Sequence, residues 1–318
     1  MKYNIKKILK IEQIEYIYNN FIKLSPQKNI FCTKDILKFF FDDLDLYTVN
    51  KNDKIKSFIY LLKNKDSKII SEPLIYSGIL NQPQLGMKLA RYNNELFRIN
   101  EIIINEIISN YSKVNFNLPI DFIDTRPFLW FNYEKKDKKF FSVTPRYTSI
   151  ININFKNKDE VFGEIDDVKK RDIKNSLQNK KYRVSDEINL DLIKNFYINT
   201  MKKNKGVYNK YFFDKIFNFI KIQINKKKII QATTFYDEKP IYSVLFLTDE
   251  TSGCYLYGSG DVNIKNRYAG SLSLWKAIDQ SIEKRLKYID LEGINSPYRG
   301  EFKINFGGKI KEYFNISF

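Results

Sequence analysis

The stretch Tyr288-Ile289-Asp290-Leu291-Glu292-Gly293-Ile294-Asn295-Ser296-Pro297-Tyr298-Arg299-Gly300-Glu301-Phe302-Lys303-Ile304-Asn305-Phe306-Gly307-Gly308 decides how this chain is read. An apolar strand enters a turn built from carboxylates and a glycine. A lysine between aromatics follows, then paired glycines and a last strand through Ile310, Tyr313, Phe314 and Ile316. Acids, glycines and a flanked lysine packed this closely mark a site and not only a core.

Composition narrows the chemistry open to such a site. The chain has 318 residues and no histidine, so serine triads, Cys-His dyads and histidine metal centres are excluded, and no metal site is expected. Cys32 and Cys254 are its only thiols, too few for a disulfide framework or a four-cysteine zinc site, which fits a reducing cytoplasm. Catalysis must then draw on carboxylates, Lys, Arg, Tyr, backbone groups or the reactivity of a donor. The residues before Asn20 interrupt every turn with Lys or Asn, which is no secretory leader, and no run approaches a membrane span. The expected location is cytoplasmic, with the inner face of the membrane as a peripheral station.

A formal net charge of +17 suits a polyanion partner such as RNA, an anionic lipid headgroup or a nucleotide diphosphate. Lys, Asn, Ile, Tyr and Phe are abundant together, however, as AT-rich coding would make them. Both explanations of the charge stay open.

Periodicity gives alternating elements. Helices are expected over residues 11–21, 34–41 (with Thr33 as N-cap and Asp35 in the first turn), 95–111, 159–178, 189–201, 208–221 and 270–287. Strands are expected over 56–62, 68–80 (interrupted by Pro73), 114–118, 228–235, 241–247, 254–258 and 288–291, with a terminal strand after the glycine pair. In the helix at 270–287, Trp275, Ile278, Ile282 and Leu286 face inward, while Lys276, Asp279, Glu283 and Lys284 face outward. The boundary is placed between an N-terminal domain, 1–155, and a C-terminal domain, 156–318. The pattern is mixed α/β, with hairpins as well as crossovers.

The C-terminal signature resembles the Fem family of peptidoglycan aminoacyltransferases and the wider group of tandem GNAT-fold acyltransferases. The matching residues are the Asp290-Leu-Glu-Gly293 turn, the Phe302-Lys303 pair and the Phe306-Gly-Gly308 run, preceded by a helix bearing Trp275. Upstream, Ile75-Tyr76-Ser-Gly78-Ile-Leu80, Asp124-Thr-Arg126-Pro-Phe128-Leu-Trp130, Tyr147-Thr148 and Lys169-Lys170-Arg171 with Lys174 are similar to family segments, so the resemblance covers most of the chain. The family's inserted helical arm has no counterpart.

The resemblance implies two tandem GNAT-like acyltransferase domains of α/β (α+β) class, with mixed, largely antiparallel sheets around a central cleft. The second domain would carry the catalytic motifs. It implies N-acyl or aminoacyl transfer onto an amine of a cell-envelope or surface-glycan precursor, through a tetrahedral oxyanion. Acyl-coenzyme A or aminoacyl-tRNA would be the co-substrate, and no cofactor would be tightly bound. The partners implied are a nucleotide- or lipid-linked sugar or peptide precursor bearing the amine, tRNA and an anionic membrane surface, but not DNA. The alternative is a catalytically inactive GNAT-fold protein that binds RNA or another polyanion.

On this reading Lys303 faces the developing oxyanion, where losing one donor costs about 2.7–4 kcal/mol, or the phosphates or ribose end of a donor. Phe302 contributes its backbone carbonyl and a wall. Asp290 and Glu292 are candidates for the general base. Gly293, Gly307 and Gly308 allow positive φ or close backbone approach. Arg267, Gly270 and Ser271 open a helix that can receive donor phosphates, in a partial match to the R-x-x-G-x-G/A loop whose last position is Leu272. Gly258-Ser-Gly260-Asp261 reads as an ordinary loop. Arg126, Tyr147, Trp275, Lys170 and Arg171 are the candidates for substrate binding. Lys169, Lys174, Lys180, Lys181 and Arg183 extend a basic face that equally suits a solvated helix.

Overall fold

The computed structural model describes residues 3–135 and 137–318. The chain runs β1 (Asn4–Lys7), α1 (Gln13–Asn20), α2 (Lys34–Phe39), β2 (Leu44–Lys51), β3 (Lys54–Leu62), β4 (Gly78–Asn81), α3 (Leu89–Asn110), β5 (Asn115–Asn117), α4 (Arg126–Leu129) and β6 (Ser142–Asn152). Two helices follow, α5 (Lys158–Gly163) and α6 (Asp167–Gln178). It continues through β7 (Tyr182–Ser185), α7 (Leu190–Lys203), α8 (Lys210–Asn225), β8 (Ile229–Tyr236), β9 (Lys239–Thr248) and β10 (Ser252–Gly260). It ends with α9 (Ala269–Glu283), β11 (Tyr288–Asp290), α10 (Pro297–Ile304) and β12 (Lys309–Ser317). The order β-α-α-β-β-β-α-β-α-β therefore occurs twice, from β1 to β6 and from β7 to β12. No sequence repeat announces it.

Two compact units result. One holds the chain up to Arg146 together with Glu312–Phe318, and the other holds Tyr147–Lys311. The division thus comes earlier than the expected 155/156, within β6, and the last residues belong to the first unit. In each repeat the final strand leaves its own unit. β6 pairs antiparallel with β11 in the second unit (Asn152↔Tyr288 to Ile150↔Asp290), while β12 pairs antiparallel with β5 in the first (Asn315↔Asn117 to Ser317↔Asn115).

The first unit has an antiparallel sheet in the order β1-β2-β3-β4. The apolar stripe of α3 buries Ile99, Ile103 and Ile107 in one core with Val49, Ile59, Leu61, Ile79, Phe116, Phe128 and Ile316. Each such side chain contributes about 1.5–3 kcal/mol on burial. The strand expected over 68–80 is regular only as β4, because Pro73 supplies no amide for a ladder. Gly78 opens β4 at φ +92, and a Cβ there would meet the Phe116 ring at 2.8 Å. β2 was hidden by Asp45 within its apolar run. That carboxylate is buried and paired with Lys7 at 2.7 Å and Lys63 at 3.0 Å, and it accepts the Tyr111 hydroxyl at 2.6 Å.

The second unit has the strand order β6-β11-β10-β9-β8-β7, all antiparallel except for the β10/β11 pair. Leu274, Trp275 and Ile278 of α9 pack with Val244, Phe246, Tyr255 and Ile289. Rings from α7 and α8 (Tyr197, Phe213, Phe217) gather instead around Tyr257. The helix expected over 159–178 is broken, because α5 ends at Gly163 and the Asp166 side chain caps α6 through the Val168 amide. Asp279, expected outside, is 8% exposed and bonds Lys158 at 2.6 Å. The largest departure is α10, where no helix was expected: Phe302 and Lys303 lie on it, and Pro297 opens it. Among the described residues no helix is long and apolar enough to cross a membrane.

Burial works to raise the Asp45 pKa, but the hydrogen bonds from Lys7, Tyr111 and Lys63 outweigh it and hold it below the ordinary value. A carboxylate depressed in the folded state stabilises above its unfolded pKa, about 3.9, and loses that contribution as pH falls through the folded pKa. Asp45→Asn should therefore lower stability by about 1–3 kcal/mol at neutral pH. It should also flatten the decline in Tm below about pH 4, measured by thermal unfolding across pH.

Candidate active site

β10 and β11 run parallel for only three residue pairs, Ser252↔Tyr288, Gly253↔Ile289 and Cys254↔Asp290. β10 continues to Gly260 along β9, with a bulge between Tyr255 and Tyr257 that leaves Leu256 outside the ladder. Among the described residues no strand pairs with its other edge beyond Cys254, so the sheet opens there. A parallel pair that stops while one strand goes on leaves main-chain polar groups to be met by something other than a ladder.

Asp290 stands at the fork. It is 6% exposed, and its Oδ1 accepts the Thr148 hydroxyl and, at 2.8 Å, the Glu292 amide. Those bonds turn the chain sharply at Glu292, which takes φ 57, while Gly293 needs no positive φ. Asp290 therefore organises the turn. Glu292, its side chain 27% exposed and paired with Lys303 at 3.5 Å, is the more accessible of the two carboxylates. The loop is fastened to β6 by the Leu291 amide on the Ser149 carbonyl (2.9 Å), the Ile294 amide on the Tyr147 carbonyl (3.0 Å) and the Tyr147 amide on the Asn295 side chain (2.7 Å). Tyr147 acts here through its backbone, with its ring exposed.

Lys303 is 6% exposed, and its ammonium is engaged on several sides. It donates to the carbonyls of Glu292 (3.1 Å) and Gly293 (3.4 Å), pairs with the Glu292 carboxylate at 3.5 Å, and lies 4.4 Å from the Tyr255 ring centroid. In this geometry it holds the loop and Glu292 in place. Gly307 ends the segment at φ +82, where a Cβ would strike the Glu164 carbonyl at 2.5 Å. Cys254, at the base of the fork, is buried; its thiol is pushed well above the ordinary value by desolvation first and then by Asp290 and Glu292. It is no nucleophile.

The start of α9 packs against Tyr242 of β9 and Phe302 of α10. Asn266 Oδ1 takes the amides of Tyr268 and Ala269, both at 3.0 Å. The amides of Gly270 and Ser271 have no acceptor among the described residues, and the buried Ser271 hydroxyl has no hydrogen-bond partner. A Cβ on Gly270 would stand 3.4 Å from Tyr242 Cζ and 3.5 Å from Phe302 Cζ, so both rings close on this turn. Free amides at the head of a 15-residue helix are suited to negative charge. Arg267 is drawn off by the buried Asp172, bonded at 3.1 Å, instead of pointing freely at a phosphate. Asp172 Oδ2 has no hydrogen bond, only Lys169 at 3.6 Å.

The remaining candidates separate. Trp275 is a core residue, 5% exposed and packed on Phe162 at 4.9 Å, and does not line the site. Lys170 pairs with Asp167 at 3.2 Å, while Arg171 is exposed on α6. Arg126 belongs to the first unit, where it grips Asp124 with two bonds of 2.7 Å and lies over Phe97 and Trp130. Of the basic face, Lys181 and Arg183 pair with Asp237 and Glu238. The Gly258-Ser-Gly260 run is part of β10, not a loop. Tyr242 and Tyr255, which sequence reasoning passed over, pack beside the first turn of α9 and under the Lys303 ammonium respectively; the two glycines facing their rings were the available signal.

No protein-family model matches the chain, and no curated protein sequence does. Among solved structures it is similar to FemX, with a TM-score of 0.62 at 10% identity over 99% of this chain and 97% of that one. It is similar also to a tandem GNAT protein from the clavulanic acid biosynthesis pathway, at 0.58 and 6% identity over 99% and 98%. The fold is the tandem GNAT fold. The C-terminal domain of a putative lysylphosphatidylglycerol synthetase from Agrobacterium fabrum shares it, at 0.51 and 9% identity over 96% and 91%. The twice-repeated element order is how this chain builds a tandem GNAT structure.

Lys303→Ala should cost about 1–3 kcal/mol, because the half-buried carbonyls of the 292–293 turn would lose their donor. Urea denaturation measures it, and unchanged stability would contradict the clamp.

Proposed function

We propose that this protein is an N-acyltransferase that moves an acyl or aminoacyl group from an activated donor to an amine on a cell-envelope or surface-glycan precursor. The observations that carry the reading are the end of the β10/β11 pairing at Cys254 and Asp290, the Glu292–Lys303 pair that follows it, and, in the same unit, the α9 start whose Gly270 and Ser271 amides have no acceptor among the described residues. Similarity of fold to FemX and to the tandem GNAT protein supports it.

The donor's acyl group would lie along the unpaired edge of β10, beside the bulge at Leu256. Its anionic portion would meet the first turn of α9, where dipole and amides favour negative charge. The amine attacks the acyl carbon, the C–N bond forms and Glu292 takes the amine's proton; as the tetrahedral intermediate collapses, the bond from the acyl carbon to the donor's oxygen or sulfur breaks, and that atom leaves with the electron pair and takes a proton from solvent. Lys303 positions Glu292 and adds positive charge as the oxyanion develops. Asp290 sets the turn that delivers Glu292. Either an oxygen ester of tRNA or a coenzyme A thioester satisfies this chemistry, since both present a carbonyl with an anionic carrier behind it. Peripheral attachment to an anionic membrane would place the enzyme near a lipid-linked acceptor.

Incubation with a pool of charged tRNAs and acyl-coenzyme A thioesters plus candidate amines, with and without ribonuclease, should consume one donor class and yield an amide by mass spectrometry. Glu292→Gln should slow transfer about 10²-fold or more. If no donor is consumed while RNA is retained with steep salt dependence, the protein is a polyanion binder and the transfer reading is wrong.

A further inference from the structure

In the first unit, the segment around α4 presents two faces. Phe128 packs on Phe116 and Phe141, and Phe131 packs on Phe141 and Phe318, so the inward face is filled with rings. The outward face is apolar as well. Ile123, Leu129, Trp130, Tyr133 and Phe140 all stand exposed, Ile123 at 85% and Tyr133 at 75%. A single exposed apolar residue needs no explanation, but a group of them outside a filled core does. They belong to one surface. Trp130 and Tyr133 line an open hollow with Asn132 and Lys135. The Asn132 side chain donates to the Lys139 carbonyl at 2.9 Å, which brings Phe140 alongside. Arg126, gripped by Asp124 next to Ile123, lies 5.5 Å from the Trp130 ring centre. Lys135, Lys138 and Lys139 are exposed, and from Ile123 to Phe140 the sequence carries five cations against three acids.

We propose that this surface seats the protein on an anionic lipid bilayer. Tryptophan and tyrosine rings settle at the level of the headgroups, where an apolar body and a polar tip are both satisfied. Ile123 and Leu129 would enter the acyl boundary beneath them, and the lysines would lie among the lipid phosphates. The aliphatic members favour lipid over RNA. Ile123 and Leu129 offer no ring for a base to stack on, and the Trp130 ring already has Arg126 and Phe97 against it. The cations favour an anionic surface over a second copy of this chain, since a two-fold contact would set the same basic residues against each other. The inference supplies the surface for the peripheral attachment in the proposed function and rests on that reading only there. Lipid binding is measured without any donor, so its failure is distinct from a failure of acyl transfer.

The test sediments the full chain with sucrose-loaded vesicles of phosphatidylcholine, with and without an equal part of phosphatidylglycerol. The chain should pellet with the anionic vesicles and be released as salt rises. Ile123→Ser combined with Tyr133→Ser alters two side chains too exposed to support the fold, and it should weaken partition about tenfold or more. Lys138→Glu with Lys139→Glu should remove the preference for anionic vesicles. A second readout needs no surface variant that must fold: vesicles with brominated acyl chains should quench Trp130, the exposed one of the chain's two tryptophans. Failure of the wild-type chain to pellet, unchanged partition of the serine variant, or a bound chain without quenching would overturn the proposal. Self-association or RNA retention that is lost on the same serine substitutions, with no vesicle binding, would overturn it in favour of a contact between copies or an RNA surface.

Discussion

At Cys254 opposite Asp290 a parallel ladder hands over to a side chain. The Asp290 carboxylate takes the Glu292 amide and the Thr148 hydroxyl, turning β11 away from β10 instead of letting the pair continue. The rest of the site follows from that handover. β10 keeps an open edge, Glu292 is delivered in a left-handed conformation, and the loop behind it is tied to β6 on one side and to Lys303 on the other. Lys303 is costly to bury. Its two carbonyl acceptors, its carboxylate partner and the Tyr255 face offset that cost.

Much of the fold was legible because burial imposes period. The α3 and α9 stripes, the β8–β9 hairpin and β11 all follow apolar spacing. What escaped notice did so for physical reasons. β2 encloses a buried aspartate satisfied by partners distant in sequence, which no local window detects. β7 is short and only half buried. The repeat is one of element order and not of residues, so only three-dimensional structure reveals it. α10 is only eight residues long and carries Gly300 in its interior, so no sustained apolar period marks it, although Ser296-Pro297 is a sound helix start.

The site was legible in part. Phe302, Lys303, Asp290, Glu292, Gly270 and Ser271 come together in the second unit. Their roles were less legible than their positions: a lysine among aromatics reads as reactive until its carbonyl acceptors are seen, and two acids in one turn look equivalent until one is found capping the other. Trp275 was drawn in by its place on α9, yet its ring lies in the core. Several basic residues of the α6–β7 region are matched by nearby acids, so the excess of positive charge behind the net +17 is carried by other residues of the chain.

The central claim is that the fork between β10 and β11 holds the donor. A crystal structure of the chain with a hydrolysis-resistant analogue of whichever donor it consumes tests this directly. The account predicts density along the free edge of β10, with the analogue's anionic group on the Gly270 and Ser271 amides and its carbonyl carbon within reach of Glu292. Density seated elsewhere, with those amides still unoccupied and the fork empty, would contradict it.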